Sequence, residues 1–183
     1  MEKPKSEIMK SIATPPGNRG VMPKALDAIA LLRADHKLVS ALFAGYEKTQ
    51  STARKKKLVS QICTELAVHA QAEEQVFYPA VKRAFKDKLL IPEAIVQQAT
   101  MSARIGQVEG VELDGEMCNA KVRVLCDYMK PHVKEEHTKM LPKAKATSPD
   151  MMVLGAATAA RKAEILVQRP MYITLCPRLK ALC

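Results

Sequence analysis

Apolar residues recur at helical spacing along most of the chain, and in four places the stripe they form is broken near its middle by a polar side chain. Ile29, Leu32, His36, Val39, Phe43 and Tyr46 advance in steps of three and four, which keeps them on one face of a helix. The same steps connect Ile62, Leu66, His69, Glu73, Val76 and Ala80, then Ile91, Ala94, Gln98, Met101, Ile105 and Val108, then Val122, Leu125, Met129, His132, Glu136 and Met140. The pattern predicts helices over about 23–48, 52–86, 91–108 and 116–146, with ends good to a few residues. Their links are short, so sequential helices should be antiparallel. The expected fold is all-α, an up-down-up-down four-helix bundle. A fifth helix from Pro149 to Gln168 should pack on the outside through Met152, Leu154 and Ile165.

Outside these stripes periodicity is lost. Residues 1–22 carry Pro4, Pro15, Pro16, Gly17 and Gly20 and read as a flexible leader. Residues 169–183, with Pro170 and Pro177, form a basic tail without a clear pattern. The organisation expected is therefore leader 1–22, helical domain 23–168, tail 169–183. At 183 residues the chain suits one continuous core.

Composition narrows the function. The net charge of +10 suggests a nucleic-acid partner, but residues 1–24 and 161–183 carry most of the excess, leaving +3 for 25–160. Such tails more often aid solubility than bind nucleic acid, and the run Arg54 to Lys57 reads as a solvated helix start. Five cysteines without a C-x-x-C pair point to a reducing compartment, with Cys63 and Cys126 as buried structural thiols. Neither a signal-peptide core nor a membrane-length apolar run is present. A soluble, cytoplasmic protein that does not engage membranes is expected.

The interruptions carry the chemistry. His-x-x-x-Glu, followed by proline six residues after the glutamate, occurs twice, as His69, Glu73, Pro79 and as His132, Glu136, Pro142. Residues four apart on a helix point the same way, so each copy aims an imidazole and a carboxylate at one target. Both pairs lie on core stripes. An ionised glutamate in an apolar bundle is costly unless paired or coordinated, so two of them beside histidines call for a shared cation. His36 and Gln98 stand at equivalent heights on the other two helices. His137, Glu74 and Glu135 fall off the stripes and read as surface groups, His137 lying about 140° around the axis from His132.

No Glu precedes a histidine by three residues, so the ferritin type of di-iron site is not indicated, and no phosphate loop or nucleophile elbow occurs. In order and in flanking sequence, ALLRADHKLV, ICTELAVHAQAEEQVFYPAV and YMKPHVKEEHTKMLPKA, the chain resembles the hemerythrin-like HHE cation-binding domain family over about 25–165. The resemblance implies non-haem iron, one or two ions. His36 and His69 would cap one iron, His132 the other, and Glu73 and Glu136 would bridge. Dioxygen or nitric oxide would be the small ligand, for sensing, transport or protection without catalytic turnover.

Ligand types alone also fit zinc, manganese or nickel. Two departures from the family pattern weaken one metal position. Gln97-Gln98 stands where the family usually has an acidic-His pair, and Pro131 precedes His132, where it should kink the helix and displace that imidazole. The alternatives are a metal-buffering protein without oxygen chemistry and a degenerate scaffold whose basic tails bind nucleic acid.

Overall fold

A computed structural model describes residues 26–83, 85–109, 115–146 and 150–175, the last seven by backbone alone. Helix α1 is Ala28–Lys48. Helix α2 begins as Thr52–Ala72, passes through a π-helical turn at Glu73–Phe77 and continues as Tyr78–Lys82. Helix α3 is Leu90–Glu109. Helix α4 repeats the design of α2, as Glu116–Glu135, a π turn at Glu136–Met140 and Leu141–Lys145. Helix α5 is Met151–Leu175. No strand occurs among the described residues, and the all-helical expectation holds. The leader and residues 176–183, with Cys176 and Cys183, lie outside the described residues.

Capping residues fix where the rods start. The Asp27 carboxylate accepts from the Ala30 N–H at 2.7 Å, and Asp150 accepts from Met152 and Val153 at 2.8 and 3.2 Å. Ser51 caps α2 through the Arg54 N–H. Contacts between ends set the directions. Tyr46 at the end of α1 donates to Asn119 at the start of α4, Lys55 at the start of α2 donates to the same Asn119, and Lys121 reaches the Gln107 carbonyl late in α3. Starts of α2 and α4 thus meet ends of α1 and α3, so neighbours alternate in direction.

The two π turns explain the recurring proline. In an α-helix the ring of Pro79 would strike the carbonyl four residues back, and Pro142 would do the same. The wider turn instead closes through Tyr78 N–H to Glu73 C=O and Leu141 N–H to Glu136 C=O, five residues apart. One extra residue per turn shifts the register. Below Glu73 the buried positions are Phe77, Tyr78 and Val81, whereas Val76 and Ala80, expected from regular spacing, are only partly buried.

Apolar packing divides into two main clusters with the polar residues between them. One holds Val39 to Tyr46, Val59 to Leu66, Met101 to Val108 and Cys118 to Met129. The other holds Ala28 to Leu32, Phe77 to Phe85, Leu90 to Ala94 and Met140 to Ala144. In every rod the break between clusters falls at the polar interruption. Cys63, Cys118 and Cys126 are buried, and none is in a disulfide among the described residues.

Helix α5 lies across α1 and α2 and runs past Gln168, its expected end, to Leu175. Leu154 and Ile165 are buried as expected, Ile165 against Val68 and Ala72, but Met152 faces solvent and Thr158 is the buried polar residue instead. Gly155 permits the close approach. A Cβ there would lie 2.3 Å from the Leu26 carbonyl oxygen and 2.8 Å from the Ala28 nitrogen, both backbone atoms. Gly155→Ala should therefore lower unfolding free energy by about 1–3 kcal/mol or more in a urea titration. An unchanged midpoint would mean that α5 is not held against α1.

Candidate metal centre

Six polar side chains from the four rods share the layer between the clusters. Their exposures are low enough to require internal partners: Glu73 and Gln98 0%, Glu136 1%, His69 3%, His132 4% and His36 5%. His36 comes from α1, His69 and Glu73 from α2, Gln98 from α3, and His132 and Glu136 from α4.

Each imidazole is held by its Nδ1. His69 Nδ1 donates to the Asp35 carboxylate at 3.1 Å, His132 Nδ1 to the Gln97 amide oxygen at 2.7 Å, and His36 Nδ1 to Nε2 of His137 at 2.9 Å. That leaves all three Nε2 atoms for the interior. His36 Nε2 lies 3.0 Å from His69 Nε2 and 3.2 Å from a Glu136 oxygen, while His69 Nε2 lies 3.3 Å from a Glu73 oxygen. Nitrogen and oxygen donors bound about 2.1 Å from one cation lie roughly 3.0–3.4 Å from each other, so these spacings are edges of a coordination shell. His36, His69, Glu73 and Glu136 can each offer an atom within 4.8 Å of all the others.

Unpaired atoms test the fit independently. Glu73 Oε1, Glu136 Oε2, His132 Nε2 and Gln98 Oε1 are buried without hydrogen-bond partners. Each such atom costs about 1–3 kcal/mol. All four present lone pairs, which a cation can satisfy and a hydrogen-bond acceptor cannot. Two carboxylates among imidazoles also match a divalent charge.

His132 stands apart from that group of four, with Nε2 3.6 Å from Glu136 Oε1. Helix α4 runs through Pro131 and buries His132, whose imidazole nevertheless lies outside the group of four donors. Gln98 turns its amide nitrogen to Glu73, and to the Tyr78 hydroxyl at 2.8 Å. Its amide oxygen is left among the unpaired atoms.

Four participants escape a reading by spacing. Tyr78 touches both Glu73 and Glu136 at 3.0 Å, although it lies five residues beyond Glu73, because the π turn carries it back to the ligand face. His137 faces His36 for the same reason and is half-buried, which corrects its reading as a surface group. Asp35 and Gln97 each neighbour a stripe residue and point sideways into the next rod. The sequence signal for the first two was the proline itself. Glu135 does form the expected surface pair, with Lys139 at 2.6 Å.

Charge shifts follow from this packing. Burial opposes a charge on His69, but Glu73, Asp35 and Glu136 overcome it and raise its pKa to about 10. Burial likewise opposes a charge on Glu136, yet the close approach of His36, and the nearby His132 and His69, lower it to about 2. Burial, then His36 and Arg33, hold His137 below its ordinary value, which suits a neutral acceptor for His36.

A family model for the hemerythrin HHE cation-binding domain matches residues 27–144, which contain every side chain of this layer. The chain belongs to that family. A crystal structure of a hemerythrin HHE cation-binding-domain-containing protein from Mycobacterium kansasii superposes with a TM-score of 0.69, covering 86% of this chain and 99% of that one at 19% identity. That likeness concerns the fold. A DNA nickase from Nostoc sp. is 29% identical over 108 residues, 59% of this chain and 30% of the relative. The chain thus spans under a third of that protein. No described helix is long and apolar enough to cross a membrane.

Proposed function

We propose that this HHE domain holds non-haem iron between His36, His69, Glu73 and Glu136, and offers it to dioxygen or nitric oxide. The unpaired Glu73 and Glu136 oxygens in the buried layer carry the reading, because a divalent cation would relieve them and balance the charge of the two carboxylates. Imidazole and carboxylate donors with room for a further ligand suit ferrous iron. His132, with the remaining Glu136 oxygen and Tyr78 nearby, is the start of a second cation position that Gln98 leaves one imidazole short.

When bound, ferrous iron supplies an electron-rich centre with an open position for a diatomic ligand. The chain's own residues do the rest. Val39, Leu66, Met101 and Met129 line one side of a cavity of about 10 Å³ against His36, His69 and His132, which has room for about one water-sized molecule. So small a space would favour a small ligand over a bulky one. Ile29 and Leu32 belong to the apolar cluster on the other side of the layer. His36 Nδ1 is linked to the half-buried His137, which would offer the layer one proton route toward solvent.

The reading assigns binding, for sensing, transport or protection, and no turnover. Iron-loaded protein should retain at least about one iron per chain after desalting and develop near-ultraviolet absorption on exposure to dioxygen. Retained iron with no spectral response to dioxygen or nitric oxide would favour metal buffering. A second reading, nucleic-acid contact, is supported by the +10 charge and by the relative described as a DNA nickase. Salt-dependent DNA binding that survives chelation would select it.

A further inference from the structure

Lys162 reaches the metal layer from a helix that the family domain does not include. It lies on α5, beyond the matched residues 27–144, and its ammonium donates to Asp35 Oδ1. The other oxygen of that carboxylate, Oδ2, accepts from His69 Nδ1 at 3.1 Å. A continuous chain therefore runs from an outer helix to a candidate ligand: Lys162, Asp35, His69.

The contact is built in. Side-chain exposures are 15% for Lys162 and 11% for Asp35, so neither is a freely solvated surface charge. Helix α5 is fixed on both sides of Lys162, by Gly155 against the start of α1 and by Ile165 against Val68 and Ala72 of α2. Arg161, next to Lys162, donates to Gln75 of the first π turn at 2.5 Å. A carboxylate behind a histidine ligand orients the ring and raises its donor strength, and changes at such positions typically alter metal affinity about 10–100-fold. Gln97 gives His132 a neutral acceptor, so only His69 is supported by an anion, and that anion is held by a lysine.

We propose that Lys162 is a positioning residue for the metal centre, holding Asp35 so that His69 Nε2 stays aimed between Glu73 and His36. The proposal rests on the reading that this layer binds a metal. Asp35 has two jobs and one orientation satisfies both. Without the ammonium, Asp35 is free to turn outward, and the ring loses its anchor. Loss of a positive charge this near the centre also favours the more oxidised metal, so the reduction potential should fall.

The test uses the full chain loaded anaerobically with ferrous iron, with release into excess chelator followed over time. Lys162→Met should release iron about 10–100-fold faster than wild type and show a more negative potential. Lys162→Arg should restore both, and Lys162→Met combined with Asp35→Asn should release no faster than Asp35→Asn alone. Equal release from wild type and Lys162→Met, or an arginine variant as fast as the methionine variant, overturns the proposal. A wild type that holds no iron instead removes the iron reading, and the same comparison is then made with zinc. Wild type holding neither metal overturns both. Thermal melts of the metal-free variants separate positioning from folding, because a purely structural role would lower the melt and leave the potential unchanged.

Discussion

Glu73→Ala is expected to leave the purified protein with almost no bound iron. Glu73 is completely buried, lies 3.3 Å from His69 Nε2, touches Tyr78 and Gln98, and keeps one oxygen unpaired for a cation. Its removal takes away a ligand and half of the anionic charge of the layer. Since altering even the groups behind ligands costs about 10–100-fold in affinity, losing this carboxylate should cost more than about 100-fold. The metal-free protein should suffer as well, because a buried His69 charge loses one of its two adjacent carboxylates while Asp35 remains, a loss of up to about 3 kcal/mol. Glu73→Gln separates the two effects. It keeps the volume, so the fold should be disturbed less, while iron should still be lost. Elemental analysis after desalting reads the first effect and urea unfolding under chelator reads the second. Full iron content in Glu73→Ala would end the proposed site.

A second large effect should appear in the pH dependence of the metal-free protein. His69 is raised from 6.5 to about 10, so its contribution is complete below pH 6.5 and disappears as pH climbs toward 10. Glu136 is lowered from 4.5 to about 2, so its contribution is complete above pH 4.5 and disappears as pH falls toward 2. Greatest stability is therefore expected between about pH 4.5 and 6.5, with a decline on the alkaline side on the order of a few kcal/mol. A bound cation needs the lone pair of His69 Nε2. Metal should accordingly displace a proton, bind more tightly as pH rises, and flatten the alkaline decline. Unfolding titrations at pH 5.5, 7.5 and 9, with chelator or with metal, would show this. His69→Gln should remove the slope in metal-free protein. A wild-type curve already level from pH 6.5 to 9 would contradict the pairing of His69 with Glu73.

Every residue named on the stripes of α1, α3 and α4 is buried; α1 and α3 keep regular 3.6-residue geometry, and on α4 Met140 stays buried at the end of the π turn. The stripe of α2 failed after Glu73, where the wider turn moved burial from Val76 to Phe77 and from Ala80 to Val81. The proline that causes the shift was visible as a motif, but its meaning was not. Pro131 leaves the helix continuous and His132 buried, but His132 stands outside the group of four donors.

The sequence by itself determined the helical class, the height at which each rod turns polar, and the candidate donors His36, His69, Glu73, His132 and Glu136, because hydrophobic period and i, i+4 spacing are properties of single helices. The tertiary structure alone decided which donors stand within bonding distance of one centre, which acceptor steadies each ring, and that a lysine on a fifth helix touches the layer. Those relations join residues far apart in the chain, such as His36 with His137 and Asp35 with Lys162, across rods whose rotation is set by packing and by two π turns. No local pattern encodes a rotation that the rods impose on one another.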